Sequence, residues 1–244
     1  LIIEDNPEVV AYIRTLLEKD YEITVAENGE IGIQKALEQI PDIIISDVMM
    51  PVKDGFAVTE FLKNDERSSH IPIVLLTAKA DAESRLIGLT RGADAYLAKP
   101  FDKKELLVRL EQLIELRKKL QARYAQFAPP QPTEDAGLRM EDAFLQKING
   151  IIEAHLDEAE FGVNELCRAV GLSRPQLFRK LKALTDKSIV AYLRSARLHK
   201  ARELLQSGER NISEVAFEVG FNDPLYFSRA FSHEFGFPPT ALLK

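Results

Sequence analysis

The chain has 244 residues, room for about two domains, and its 45% hydrophobic and 29% charged residues exclude wholesale disorder. A single cysteine, Cys167, excludes an intrachain disulfide and fits a reducing compartment such as the cytoplasm, and no apolar run approaches the roughly 20 residues of a membrane helix. The net charge of −6 is unevenly spread: residues 1–123 hold 17 basic and 22 acidic side chains, whereas residues 168–202 hold ten basic side chains against Asp186 alone.

The chain opens without Met, on Ile2-Ile3, residues that read as a strand rather than a signal peptide. The expectation is therefore a piece of a longer protein. Ile2-Ile3 runs into Glu4-Asp5, Ile43-Ile44-Ile45-Ser46 into Asp47, Ile73-Val74-Leu75-Leu76 into Thr77, and Ala95-Tyr96-Leu97-Ala98 into Lys99-Pro100. Helix patterns follow Pro7 (Val9, Ile13, Leu16), Gly29 (Ile33, Ala36, Leu37, Ile40), Gly55 (Val58, Phe61, Leu62), Asp81 (Leu86, Leu89) and Asp102 (Leu106, Leu110, Leu113). The strands are continuous apolar runs, which marks burial on both faces and a parallel sheet. Five βα units over residues 1–122 predict an α/β doubly wound, five-stranded parallel sheet. In such a sheet the carboxyl ends of the strands line one edge, where ligands bind. Glu4, Asp5, Asp47, Thr77 and Lys99 should converge there. That group suits a divalent metal and a phosphoryl group, with Asp47 as the acceptor.

Residues 123–142 read as a linker, rich in proline around Pro129-Pro130-Gln131-Pro132. Residues 143–244 read as an all-α domain. Its two halves resemble each other: Asn164 to Ser173 lines up with Ser213 to Asn222, and each continues into a second helix, Arg174 to Leu184 and Asp223 to Phe235. A short helix, a glycine turn and a second helix make a helix-turn-helix, here in two copies joined by an amphipathic helix from Ser188 to Gln206. The basic cluster fits a polyanion partner or a solvated helix face, and charge alone leaves both open.

Glu4-Asp5, Asp47-Val48-Met49-Met50-Pro51 with Asp54-Gly55, Thr77-Ala78, and Tyr96 followed by Lys99-Pro100-Phe101 together resemble a response-regulator receiver domain. The resemblance implies that Asp5, Asp47 and the Met49 backbone carbonyl bind Mg²⁺, with Glu4 acting directly or through a water. Such a hard ion prefers oxygen ligands. It implies that Asp47 is the nucleophile, that Lys99 and Thr77 engage the phosphoryl oxygens, and that Tyr96 is a rotamer switch. The acid pair here is Glu-Asp rather than Asp-Asp, and Glu keeps the charge.

Val219-Gly220-Phe221-Asn222-Asp223-Pro224-Leu225-Tyr226-Phe227-Ser228-Arg229-Ala230-Phe231, with Phe235-Gly236 and Pro238-Pro239, resembles an AraC-type DNA-binding domain. Gly171-Leu172-Ser173-Arg174 and Arg197-Leu198 extend the match. Ser173 suits an N-cap and Pro175 a first turn, while Leu177, Leu181 and Leu184 form a buried stripe. Pro175, Arg179 and Lys182 then face outward, with Phe178 at the margin. In the second copy Asp223 or Asn222 caps the helix, and Leu225, Ser228 and Arg229 face out. Arg179 and Arg229 are the best base readers, whereas Arg174, Lys180, Lys182 and Arg194 suit phosphate contacts. The expected partner is double-stranded DNA, read at successive major-groove turns about 34 Å apart.

The order receiver, linker, AraC-type domain looks like the C-terminal part of a hybrid two-component sensor. The resemblance implies a partner histidine kinase, separate or in the same polypeptide, and a homodimer on phosphorylation. The segment itself is expected to be a self-phosphorylating acceptor rather than an enzyme, while its parent chain is a candidate histidine kinase. A phosphate sink whose helical half binds protein is a further alternative. Ser232-His233-Glu234-Phe235 resembles a kinase histidine motif, but it ends a recognition helix and no ATP-binding motif follows. His70, His155 and His199 lack metal-ligand spacing.

Overall fold

Five apolar segments pair in parallel because both of their faces can be covered. They are β1 (Ile2–Ile3), β2 (Val25–Ala26), β3 (Ile44–Asp47), β4 (Ile73–Thr77) and β5 (Ala95–Ala98), in the order β2-β1-β3-β4-β5. The computed structural model describes residues 1–78, 92–124, 136–208 and 210–243. It divides into one unit built on Leu1–Arg123 and another built on Asp142–Lys244. Successive strand residues point to opposite faces. Ile3, Ile44, Leu75 and Tyr96 pack with Ile33 and Ala36 of α2 (Gly29–Gln39) and Val58 and Leu62 of α3 (Gly55–Asn64). Ile2, Ile45, Val74, Leu76 and Leu97 pack with Ile13 and Leu17 of α1 (Pro7–Leu17) and Leu106, Leu110 and Leu113 of α4 (Lys103–Tyr124). Two-sided burial is why these strands are apolar except for Ser46, Asp47 and Thr77 near their carboxyl ends. Each fully buried aliphatic side chain contributes about 1.5–3 kcal/mol.

Local chemistry sets the helix starts. Asn6, Asn28 and Asp54 each accept a backbone N–H at the head of α1, α2 and α3. Gly55 is required by contact: a Cβ there would lie 2.2 Å from the Asp47 carbonyl oxygen. Only glycine lets α3 begin against the end of β3. The helix expected after Asp81 lies outside the described residues. So does the middle of the expected 123–142 linker, while α4 runs to Tyr124 and α5 (Ala136–Ala154) begins at Ala136.

The second unit is helical among its described residues. It contains the later part of α5, then α6 (Val163–Val170), α7 (Arg174–Thr185), α8 (Ile189–Ser207), α9 (Ile212–Glu218) and α10 (Pro224–Phe235), closed by a 3-10 turn at Pro239–Leu242. The two helix-turn-helix motifs are α6–α7 and α9–α10. Each turns on a left-handed glycine, Gly171 (φ 81°) and Gly220 (φ 78°), a conformation that penalises any Cβ. Ser173 and Gln176 close a capping box on α7, and Asp223 caps α10 through the Leu225 N–H. The second motif is held by an aromatic cluster, with Phe227 and Phe231 fully buried. No helix of the described residues is long and apolar enough to cross a membrane.

Candidate functional site

Strand register builds the pocket. Asp47 pairs with Leu76 and Thr77 with Ala98, so Asp47, Thr77 and Lys99 end adjacent strands at one level. Ile3 pairs with Ser46, which sets Glu4 beside Asp47. The carboxylate oxygens of Glu4, Asp5 and Asp47 lie within 4.8 Å of one another. Lys99 Nζ sits 2.7 Å from both Glu4 Oε2 and Asp47 Oδ1. The Asn6 backbone N–H donates to Glu4 Oε1 (3.2 Å), and the Met49 N–H donates to Asp47 Oδ2 (3.2 Å). The structure brings Glu4, Asp5, Asp47 and Lys99 together, Thr77 is buried at the end of β4, and the Lys99–Pro100 peptide is cis.

Charge in the pocket does not balance. Three carboxylates face one ammonium, which leaves two negative charges when all are ionised. Burial raises the Glu4 pKa, with Asp47 adding to the rise and Lys99 opposing it. Burial by itself would lower the Lys99 ammonium, but its hydrogen bonds to Asp47 and Glu4 prevail and hold its pKa above the ordinary value. An all-oxygen donor set with excess negative charge fits a hard divalent cation such as Mg²⁺. Asp5 is exposed and Asp47 is 6% accessible, so the edge opens to solvent on the Asp5 side.

Two further residues expected at the site lie on the loop after β3 and on β5. Met49 is exposed (72%) on the loop after β3, where Val52 adopts a left-handed backbone (φ 69°). A β-branched residue there is strained. Tyr96 is buried on β5 against the α2–α3 face. Parts of the 82–115 surface lie outside the described residues.

In the helical unit, Arg174, Pro175, Phe178, Arg179 and Lys182 of α7 are exposed, as are Leu225 and Arg229 of α10. Ser228 is half-buried, its hydroxyl donating to the Pro224 carbonyl (2.9 Å), and Arg194 of α8 is half-buried. Lys180 is a correction. It is fully buried, with its ammonium 4.2 Å from the centre of the Phe144 ring, and so is not placed to touch a phosphate. The reason is helical spacing: position 180 lies beside Leu177, Leu181 and Leu184 on the inward face. The sequence reading also missed the polar cluster of Lys187, Ser195 and Glu234. The signal was faint: one acid closing α10 and one lysine before α8. His199 stacks edge-on against Phe235, and His233 is exposed in the last turn of α10. Cys167 is buried on α6.

Residues 1–111 match the family model of the response regulator receiver domain, and residues 166–244 match that of a helix-turn-helix domain. Histidine kinase P4 of Formosa agariphila is 36% identical over 240 residues, covering 98% of this chain and 18% of that protein. The DNA-binding dual master transcriptional regulator RpaA of Synechocystis is 39% identical over 115 residues, covering 47% of this chain and 48% of its own length. The chain therefore spans about a fifth of the first relative and about half of the second. A solved receiver domain of a Pseudomonas aeruginosa sensor histidine kinase is 34% identical, covering 47% of this chain and 94% of that one, with a TM-score of 0.44.

Proposed function

We propose that this chain, a receiver domain followed by an AraC-type helix-turn-helix domain, takes a phosphoryl group on Asp47 and thereby controls sequence-specific binding to double-stranded DNA. The observation that carries the reading is the cluster of Glu4, Asp5 and Asp47 oxygens with Lys99 2.7 Å from Asp47. An Asp47 carboxylate oxygen attacks phosphorus of a phosphohistidine on the donor kinase. The O–P bond forms as the N–P bond breaks, and the leaving imidazole keeps the electron pair and takes up a proton. Lys99 places its ammonium at the phosphoryl oxygens, and Thr77 offers its hydroxyl to one of them. Glu4, Asp5, Asp47 and the Met49 carbonyl would hold Mg²⁺, which when bound supplies positive charge at the same oxygens.

Phosphorylation draws Lys99 and Thr77 toward the new group, which frees volume into which Tyr96 turns. The 82–115 surface then changes and promotes a homodimer that binds DNA sites in tandem. On the DNA, Arg179 and Arg229 read bases and Arg174, Lys182 and Arg194 contact phosphates, with Pro175, Phe178, Leu225 and Ser228 against the groove.

The test uses acetyl phosphate as donor with Mg²⁺. The chain should gain the mass of one phosphoryl group, and promoter footprints should strengthen in its presence. Equal oligomeric state and equal DNA affinity with and without donor would reject the gating step. The match to Histidine kinase P4 across 98% of this chain favours a second reading, in which the segment is the output end of a cytoplasmic hybrid kinase. The reading frame upstream of Leu1 tests it.

A further inference from the structure

Two sets of polar side chains in the helical unit serve neither its surface nor its apolar core, and both are centred on α8. Arg197 Nη2 donates to the carbonyl oxygens of Glu158 (2.9 Å) and Phe161 (3.1 Å), in the segment that enters α6. Its Nη1 donates to the carbonyl of Gly220 (3.3 Å), the turn residue of the second motif. Among the described residues every hydrogen-bond partner of this guanidinium is a carbonyl, so it works as a spacer with fixed directions rather than as an ion pair. The fit is close: a Cβ on Gly220 would lie 2.9 Å from Arg197 Cζ and 2.5 Å from the Leu156 carbonyl oxygen.

The second set closes the opposite ends. Lys187 follows α7, and its ammonium reaches Ser195 Oγ of α8 (2.5 Å) and Glu234 Oε1 near the end of α10 (3.1 Å). The buried Ser195 hydroxyl donates to the same Glu234 oxygen. Each set therefore joins chain on the first motif's side to chain on the second's, across α8. Apolar packing along α8 is non-directional and permits small slides. These hydrogen bonds do not, because they weaken steeply with distance and angle.

We propose that Arg197 and Glu234 are positioning residues that hold α7 and α10 in one fixed register, so that the chain accepts paired DNA half-sites at a single spacing. The inference rests on the DNA reading proposed above. An inserted base pair displaces one half-site by about 3.4 Å and turns it by about a tenth of a helical turn. A strut of fixed length and direction cannot follow that change without losing its bonds. Substitutions that keep the helices but loosen the strut should relax the spacing rule.

The full chain is used to select a bipartite duplex from a random pool. Affinity is then measured at the selected spacing, with one base pair inserted or deleted, and for a single half-site. The original chain should lose about tenfold or more on insertion. Arg197→Lys keeps the charge but not the three directions, and Glu234→Ala removes the acceptor shared by Lys187 and Ser195. Both should show a penalty shrunk to within about threefold, with single half-site affinity unchanged. A wild-type penalty in either variant, even with a lowered melting temperature, would overturn the proposal, because a purely structural role predicts that result. A chain that selects a bipartite site yet ignores spacing would overturn the strut alone. A pool that yields no enriched sequence would sink the DNA reading and the strut together.

Discussion

The two units treat charge in opposite ways. At the edge of the sheet, three carboxylates meet one ammonium, and the excess faces solvent beside Asp5. In the helical unit, inward charges are matched within the chain: Lys187 with Glu234, Lys180 over Phe144, and Arg197 on backbone carbonyls. Buried charge carries a large desolvation cost unless something offsets it. Where the chain supplies the offset, the charge is scaffold. Where it does not, water, a proton or a bound cation supplies it, and the acidic edge beside Asp5 is open to all three.

Asp47→Asn gives the largest test of this contrast. Phosphoryl uptake from acetyl phosphate should vanish by intact mass, since the nucleophile is gone while the pocket's shape remains. Arg179→Ala should cost about 1–3 kcal/mol in binding to the selected DNA and relax base preference at one position, read by titration against a panel of sequences. Gly55→Ala should lower stability by about 1–3 kcal/mol in urea unfolding, because its Cβ meets the Asp47 carbonyl at 2.2 Å. A smaller effect separates two neighbouring lysines. Lys182→Met should reduce the salt slope of DNA binding by about one, whereas the slope of a folded Lys180→Met should match the unmodified chain.

The smallest effect is a pH slope in the helical unit. Burial, then the Arg202 charge, lowers the His199 pKa below its ordinary 6.5, with Lys187 also lowering it and Glu234 and Glu203 opposing. The unfolded chain then binds more protons than the folded one, so stability rises with pH up to about 6.5 and falls on acidification below it. His199→Gln should flatten that slope in melting curves. Glu234 acts lower down. Burial opposes its ionisation, but Ser195 and Lys187 prevail and hold its pKa below the ordinary value. Its stabilisation is present above the ordinary carboxylate range and is lost as pH falls through its depressed pKa.

The pocket was legible because its residues sit where apolar runs stop, and a parallel sheet brings such stops to one edge. Glu4, Asp47, Thr77 and Lys99 needed only strand type and strand order. The second helix of each helix-turn-helix motif was legible from caps, prolines and leucine spacing. Lys180 was misread because its charge suggested the surface although its spacing from Leu177 and Leu184 suggested the core. The Glu234 cluster was missed because Lys187 and Glu234 stand 47 residues apart with no pattern linking them.

The order of residues alone determined element type, element order and which side chains close each strand, because these follow from periods of two and 3.6 along the backbone. Only the folded chain decided where unpaired charge remains and which cations turn inward. Those outcomes depend on how helices cross and how closely backbones approach, and such distances have no local signature.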